Sequence, residues 1–284
     1  MGVKLAGIMN SVNLRGLLFD MDGVLYNDDA PIPGAAETMA WVQSRGIPHL
    51  FVTNTSSRSR AMLVDKLRRF GIETDREHIL TPCAAAAVWL KAQAKAPIAL
   101  FVREAAQDEF AGLPLVANGQ DGCAAVVIGD LGEGWTYDTL NRAFRLLHFN
   151  PEAKLVALGM TRYWQTKEGL CLDVAPFVAA LEHATGRQPL VFGKPADAFF
   201  KAAADRLDLR RDEILMIGDD VRTDVGGAQA AGLRAALVKT GKFAPADLSG
   251  AVRPDVVMDS IVDVPQWWAA NVTGRFERSV PDPL

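Results

Sequence analysis

The sequence predicts an α/β protein built on a parallel sheet, and three observations carry that expectation. Short apolar runs recur along the chain, among them Leu17-Leu18-Phe19, His49-Leu50-Phe51-Val52, Ile98 to Val102, Ala124 to Ile128, Lys154 to Leu158, Leu190-Val191-Phe192 and Ile214 to Ile217. They are continuous rather than alternating, as expected of strands covered on both faces. Between them lie stretches with helical spacing, several closed by a glycine (Gly46, Gly71, Gly186, Gly232), and this strand–loop–helix rhythm is that of βαβ units.

The elements follow in order. After the run ending at Asp20 comes a loop with Pro31 and Pro33, then a helix over Ala35 to Arg45. The strand His49 to Val52 ends on Thr53-Asn54-Thr55-Ser56-Ser57, and a helix runs from about Arg58 to Phe70. An Ala-rich helix is expected from Cys83 to Lys95. Three further strands, with helices near Glu104 to Phe110 and Thr136 to His148, make a second α/β unit of a size suited to a separate domain. A helix over Ala175 to Ala184 leads to Leu190-Val191-Phe192 and Gly193-Lys194-Pro195. A helix over Asp197 to Leu207, the strand Ile214 to Ile217 and a short helix at Ala228 to Ala231 follow, with strands at Ala235 to Val238 and Val256-Val257. Trp267-Trp268 reads as helix packing, and the tail from Asn271 as a polar, poorly ordered end.

Composition removes several classes of function. A chain of 284 residues that is 49% hydrophobic and 23% charged has ample material for a packed core. Its formal net charge is −4 and it has no dense Lys/Arg stripe, which argues against a nucleic-acid partner. The three cysteines (Cys83, Cys123, Cys171) make neither a disulfide framework nor a metal pair, and the four histidines show no ligand spacing. No run is long enough to span a membrane, the opening residues lack a secretory core, and Ala6 stands where a myristoylation signal needs Ser or Thr. The expectation is a cytoplasmic protein with no membrane partner.

Chemistry concentrates where strands end. Asp20 and Asp22 close the first run, Thr53 the second, Lys194 follows a later one, and Asp219 with Asp220 and Asp224 follows Ile217-Gly218. In a parallel sheet such ends gather on one edge, where ligands bind. Carboxylates brought together there repel unless a cation lies among them, and Mg²⁺ suits oxygen ligands that share it with a phosphate. Lys194 and Thr53 suit an anion with several oxygens. A carboxylate can attack phosphorus, and a second carboxyl can move the proton. The bland alternative, Asp and Gly as turn residues and Asp220 or Asp224 as helix N-caps, covers each motif singly.

Asp20-Met21-Asp22-Gly23-Val24, Thr53-Asn54, Lys194-Pro195 and Gly218-Asp219-Asp220 with Asp224 together resemble the four motifs of the haloacid dehalogenase-like (HAD) superfamily. They stand in the same order, each after an apolar strand. The long insertion between the threonine and lysine motifs, with Pro33-Gly34-Ala35, resembles the NagD-like subfamily. Arg162-Tyr163, Phe199-Phe200 and Thr240-Gly241-Lys242-Phe243 resemble a branch of it that acts on phosphoamide and pyrophosphate bonds. The likeness spans about residues 15 to 260.

That resemblance implies a Rossmann-like parallel-sheet HAD core (residues 1–81 and 187–284) with an inserted α/β cap domain of the C2 type (residues 82–186). It implies a Mg²⁺-dependent phosphatase acting on a small phosphorylated substrate through an aspartyl-phosphate. Asp20 is then nucleophile and metal ligand, and Asp22 general acid/base and a ligand through its carbonyl. Thr53, Asn54 and Lys194 hold the phosphoryl group, and Asp219 completes the metal site with Asp224 or Asp220 in support. Arg162 and Tyr163 become cap contacts to substrate, and pairing of caps suggests a homodimer. Animal members of the branch tend to carry Ser where this chain has Asp22, which favours ordinary phosphomonoesters over phosphoamides or pyrophosphate. A non-enzymatic phospho-accepting module is the alternative of another class, and the long insertion fits it poorly.

Overall fold

The structure, a computed structural model of the chain, describes residues 13–93, 96–117, 122–166 and 169–272, with the side chains of all but 164–166 among them. The first twelve residues, the expected helix end at 94–95 and all but the start of the polar tail lie outside the described residues. Those described pack as two units. One comprises the described parts of Met1–Val52, Val64–Ile79 and Phe200–Leu284, the other those of Thr53–Leu63 and Leu80–Phe199. The insertion expected at 82–186 falls inside the second.

The first unit is organised by a six-stranded sheet in the order Val256–Met258, Arg234–Val238, Ile214–Gly218, Gly16–Asp20, His49–Val52, Ile79–Leu80. The pairs from Val256–Met258 through His49–Val52 are parallel. Every residue of Gly16–Asp20 and of Ile214–Gly218 is buried, which accounts for their unbroken apolar sequence. Gly16–Asp20 lies between the strand that follows it and one from the far end of the chain. The order of winding therefore reverses at this strand, and its carboxyl end is the switch point of the sheet. The register pairs Phe19 with Ile217 and Asp20 with Val52, so Asp20, Gly218 and Val52 end at one level. Helices Ala35–Ser44 and Val264–Asn271 pack in this unit, and Trp268 is buried, as the packing reading requires.

The second unit has its own four-stranded parallel sheet, ordered Leu190–Val191, Lys154–Ala157, Ala125–Ile128, Ile98–Phe101. Helices Tyr137–Phe149 and Val174–Thr185 pack on it around Val126, Ile128, Leu147, Leu155 and Val178. Thr136 starts the first of these helices by accepting the Thr139 amide hydrogen, a regular N-cap. A hairpin that the sequence did not suggest, Tyr163–Thr166 with Gly169–Leu172, takes the place of a plain loop. The expected helix Glu104 to Phe110 is α-helical only over Glu104–Gln107 and tightens to a 3₁₀ turn over Asp108–Phe110. Among the described residues no helix is long and apolar enough to cross a membrane.

Candidate active site

Within the first unit the strand ends bring three carboxylates together. Asp20, Asp219 and Asp224 are each buried, and one oxygen from each lies within 4.8 Å of the others. Asp20 is the last residue of its strand and Asp219 directly follows Ile214–Gly218. Asp224 reaches the group through a wide turn over Val221–Gly226, in which the Val225 amide reaches back five residues to the Asp220 carbonyl. Gly218 permits this, because a Cβ there would lie 2.3 Å from the Asp224 side chain.

Asp219 sits in a cradle of backbone. The Lys242 amide donates to its Oδ2 at 2.7 Å. Gly23 and Gly241 have φ of +86° and +61°, and a Cβ on either would fall 2.1 Å from that same oxygen. The Thr240 hydroxyl donates to the Gly23 carbonyl and so ties the two glycine turns together. The sequence displayed Thr240-Gly241-Lys242 as a likeness without a role; the cradle supplies one.

Asp220 and Asp224, alike as N-cap candidates in the sequence, part company. Asp220 is the cap: its Oδ1 accepts the Arg222 and Thr223 amide hydrogens at 2.9 and 3.0 Å. Asp224 is not a cap; it is fully buried and its Oδ2 accepts the Asp220 amide hydrogen at 3.1 Å. Burial alone would raise the Asp220 carboxyl, but the Thr223 and Arg222 amides and the Lys242 ammonium outweigh it and hold it below the usual carboxylate range. Desolvation would lower Lys242. The charges of Asp220, Asp219, Asp20 and Asp224 outweigh that and raise it, so the ammonium, 3.5 Å from Asp220 Oδ2, stays charged beside the acids.

Asp22 is exposed and accepts a long hydrogen bond of 3.4 Å from the Asp28 amide. Its carboxylate is outside the buried group, at the solvent side of the first strand's end.

The second unit carries the remaining motif residues. Thr53 is buried and immediately follows Val52, the residue in register with Asp20. Its Oγ1 accepts the Thr55 amide hydrogen at 3.2 Å, which leaves the hydroxyl proton to donate. Asn54 grips the main chain of buried Lys194 with both ends of its amide: Oδ1 accepts the Lys194 amide hydrogen at 2.7 Å and Nδ2 donates to the Lys194 carbonyl at 2.9 Å. Two motifs that are far apart in sequence are thereby locked together. Arg162 and Tyr163 are exposed, with the guanidinium carbon 5.8 Å from the tyrosine ring centroid.

The three grouped carboxylates are hard oxygen donors, and their mutual repulsion fits them to a divalent cation. With a carboxylate two residues beyond Asp20 and a hydroxyl and a lysine placed by Asn54, the parts are those of phosphoryl transfer.

The known proteins that resemble the chain agree. The family described as haloacid dehalogenase-like hydrolase matches residues 17–115, and the one described as HAD-hydrolase-like matches residues 191–264. Bovine phospholysine phosphohistidine inorganic pyrophosphate phosphatase is 39% identical over 266 residues, covering 92% of this chain and 93% of that protein. Bovine haloacid dehalogenase-like hydrolase domain-containing protein 2 is 39% identical over 234 residues, 82% and 87% of the two chains. Among solved structures, the Thermotoga maritima 4-nitrophenylphosphatase superposes with a TM-score of 0.80 at 27% identity, covering 89% of this chain and 97% of that one. NagD from E. coli K-12 gives 0.78 at 25%, covering 90% and 98%. The chain belongs to the haloacid dehalogenase-like hydrolases. Within that family it is a phosphatase, with NagD-like structural neighbours, so the non-enzymatic reading falls away.

Proposed function

We propose that the protein is a Mg²⁺-dependent phosphatase that hydrolyses a small phosphate ester through an aspartyl-phosphate on Asp20. The observation that carries this reading is the group of three buried carboxylates, Asp20, Asp219 and Asp224, at the switch point of a parallel sheet.

An ion bound by Asp20, Asp219, Asp224 and the Asp22 carbonyl would offset the repulsion between nucleophile and phosphate and the charge of the transferring group. The chain's own groups do the rest. A carboxylate oxygen of Asp20 attacks phosphorus as the bond to the leaving oxygen breaks. Asp22, exposed where the leaving group departs, gives that oxygen its proton. Water then attacks the aspartyl-phosphate, Asp22 takes the water's proton, and phosphate leaves with Asp20 restored. The Thr53 hydroxyl donates to a phosphoryl oxygen, and the Lys194 ammonium balances its charge. Asn54 contributes by fixing the main chain of Lys194.

Phosphoamide or pyrophosphate hydrolysis is a second reading, supported by the 39% identity to a protein named for those substrates. Asp22 favours the first, since an oxygen leaving group gains most from a carboxylic acid beside it.

Asp20→Asn tests the reading. The amide cannot form the intermediate, so hydrolysis of 4-nitrophenyl phosphate should vanish while the far-ultraviolet circular dichroism stays native. Turnover by this variant would refute the assignment. A panel of phosphate esters that includes pyrophosphate and phosphohistidine, with and without Mg²⁺, separates the two substrate readings.

A further inference from the structure

The second unit contains a cavity of about 680 Å³ that the chemistry above leaves unassigned. It opens at the carboxyl ends of that unit's strands, with Arg103 just beyond Ile98–Phe101 and Asp130 just beyond Ala125–Ile128. This is the edge at which open α/β sheets bind ligands. It is tied to the threonine motif, because the Asp130 amide donates to Ser56 Oγ at 3.2 Å, three residues past Thr53.

The two sides of the cavity differ in chemistry. One is aromatic: Trp135 is stacked on Phe177 and Phe101, with ring centroids 4.5 and 5.9 Å apart and planes within 12°. This gives a rigid apolar wall for a carbon skeleton. The other side is acidic. Asp130, Glu133 and Asp173 line it against a single cation, Arg103. That cation is already engaged, since its Nε and Nη2 donate to Asp130 at 3.1 and 3.3 Å. Asp173 has no basic partner among the described residues. Burial raises its carboxyl, and the neighbouring Asp130 adds to the effect.

An anionic ligand would meet these carboxylates with no unengaged cation to receive it. A neutral one would leave Asp173 desolvated without a counter-charge. A ligand that lays an apolar chain or ring on the aromatic wall and places a positive charge beside Asp173 satisfies both sides.

We infer that this cavity binds the organic part of the substrate, and that this part carries a cationic nitrogen, an ammonium or a protonated ring nitrogen. That the occupant is a substrate rests on the phosphatase reading; the cavity's preference for a cation does not.

The test uses the full chain and unphosphorylated probes. Calorimetric titration compares Nα-acetyl-lysine methylamide, its uncharged norleucine counterpart and the anionic glutamate counterpart. The lysine probe should bind at millimolar or lower concentration, with the other two weaker by at least roughly tenfold, the order of one lost charge-assisted hydrogen bond. Added salt should weaken the lysine probe selectively, and Asp173→Asn should remove most of its advantage. Equal binding of the three probes, a preference for the anion, no binding of the lysine probe, or an advantage that survives intact in folded Asp173→Asn would each overturn the inference. If that variant does not fold, the three-probe comparison and its salt dependence decide. A working phosphatase without cation preference sinks this inference alone, and cation binding by a chain without phosphatase activity sinks the functional reading alone.

Discussion

Replacing Gly241 by alanine should damage the metal site without touching a ligand. A residue with a Cβ at the observed φ of +61° costs about 1–2 kcal/mol in backbone strain alone. The added methyl would lie 2.1 Å from Asp219 Oδ2 and 2.6 Å from the Gly23 Cα, where real contacts stay beyond 3.0 Å. Gly23 is backbone and cannot swing aside, so the carboxylate has to retreat by about 1 Å, far beyond the ~0.2 Å tolerance of a metal–ligand distance. The retreat also breaks the hydrogen bond from the Lys242 amide. Mg²⁺ affinity should therefore fall by about 10–100-fold, the usual effect of losing a supporting contact. The melting temperature should drop by only about 2–4 °C per kcal/mol lost, so the fold survives. Activity titrated against Mg²⁺, with direct calorimetry of ion binding, reads the first effect and differential scanning calorimetry the second. Half-saturation by Mg²⁺ equal to wild type would refute the claim that the two glycines set the position of Asp219.

Two other outcomes follow from the same geometry. Asn54→Ala removes two hydrogen bonds to the Lys194 main chain, so stability to urea should fall by about 2 kcal/mol, and kcat/KM by on the order of 100-fold if Lys194 shifts by about 1 Å; unchanged kcat/KM would show that Lys194 is held by other means. Burial holds the His49 imidazole below its usual 6.5, with the Ile47 carbonyl opposing, the His78 ring adding and Asp75 opposing. The unfolded chain then binds a proton that the folded chain refuses, so stability is complete above about pH 6.5 and declines as the pH falls below it. Urea midpoints measured from about pH 7.5 down to 5.5 should show a shallower decline in His49→Gln, and an unaltered slope would place the titration elsewhere.

The sequence made the sheet and the first two carboxylates readable because both depend on local pattern. A fully buried strand shows as an apolar run, and Asp20 and Asp219 stand directly at the ends of such runs. Asp224 was harder, since a buried ligand and an exposed N-cap draw on the same residue type. What separates it from Asp220 is a turn that reaches back five residues, and apolar spacing carries no mark of that. The hairpin around Tyr163 escaped because its two strands are short and exposed, with no buried face to impose a readable alternation. The parts played by Gly23 and Gly241 could not be read at all. Each is an ordinary turn glycine until a carboxylate from a distant segment is laid against it.

The central pairing of Gly16–Asp20 with Ile214–Gly218 also bears on how the protein is made. On the ribosome the nucleophile emerges early, whereas Asp219 and Asp224 arrive only after the whole second unit has been synthesised. A nascent or truncated chain that ends before Ile214 holds Asp20 without the carboxylates that complete the ion site. Such a chain can neither gather the cation nor activate the attacking oxygen. Arrested products should be chemically silent toward cellular phosphates, and loss of the last third of the chain should leave no residual turnover however well the earlier part folds.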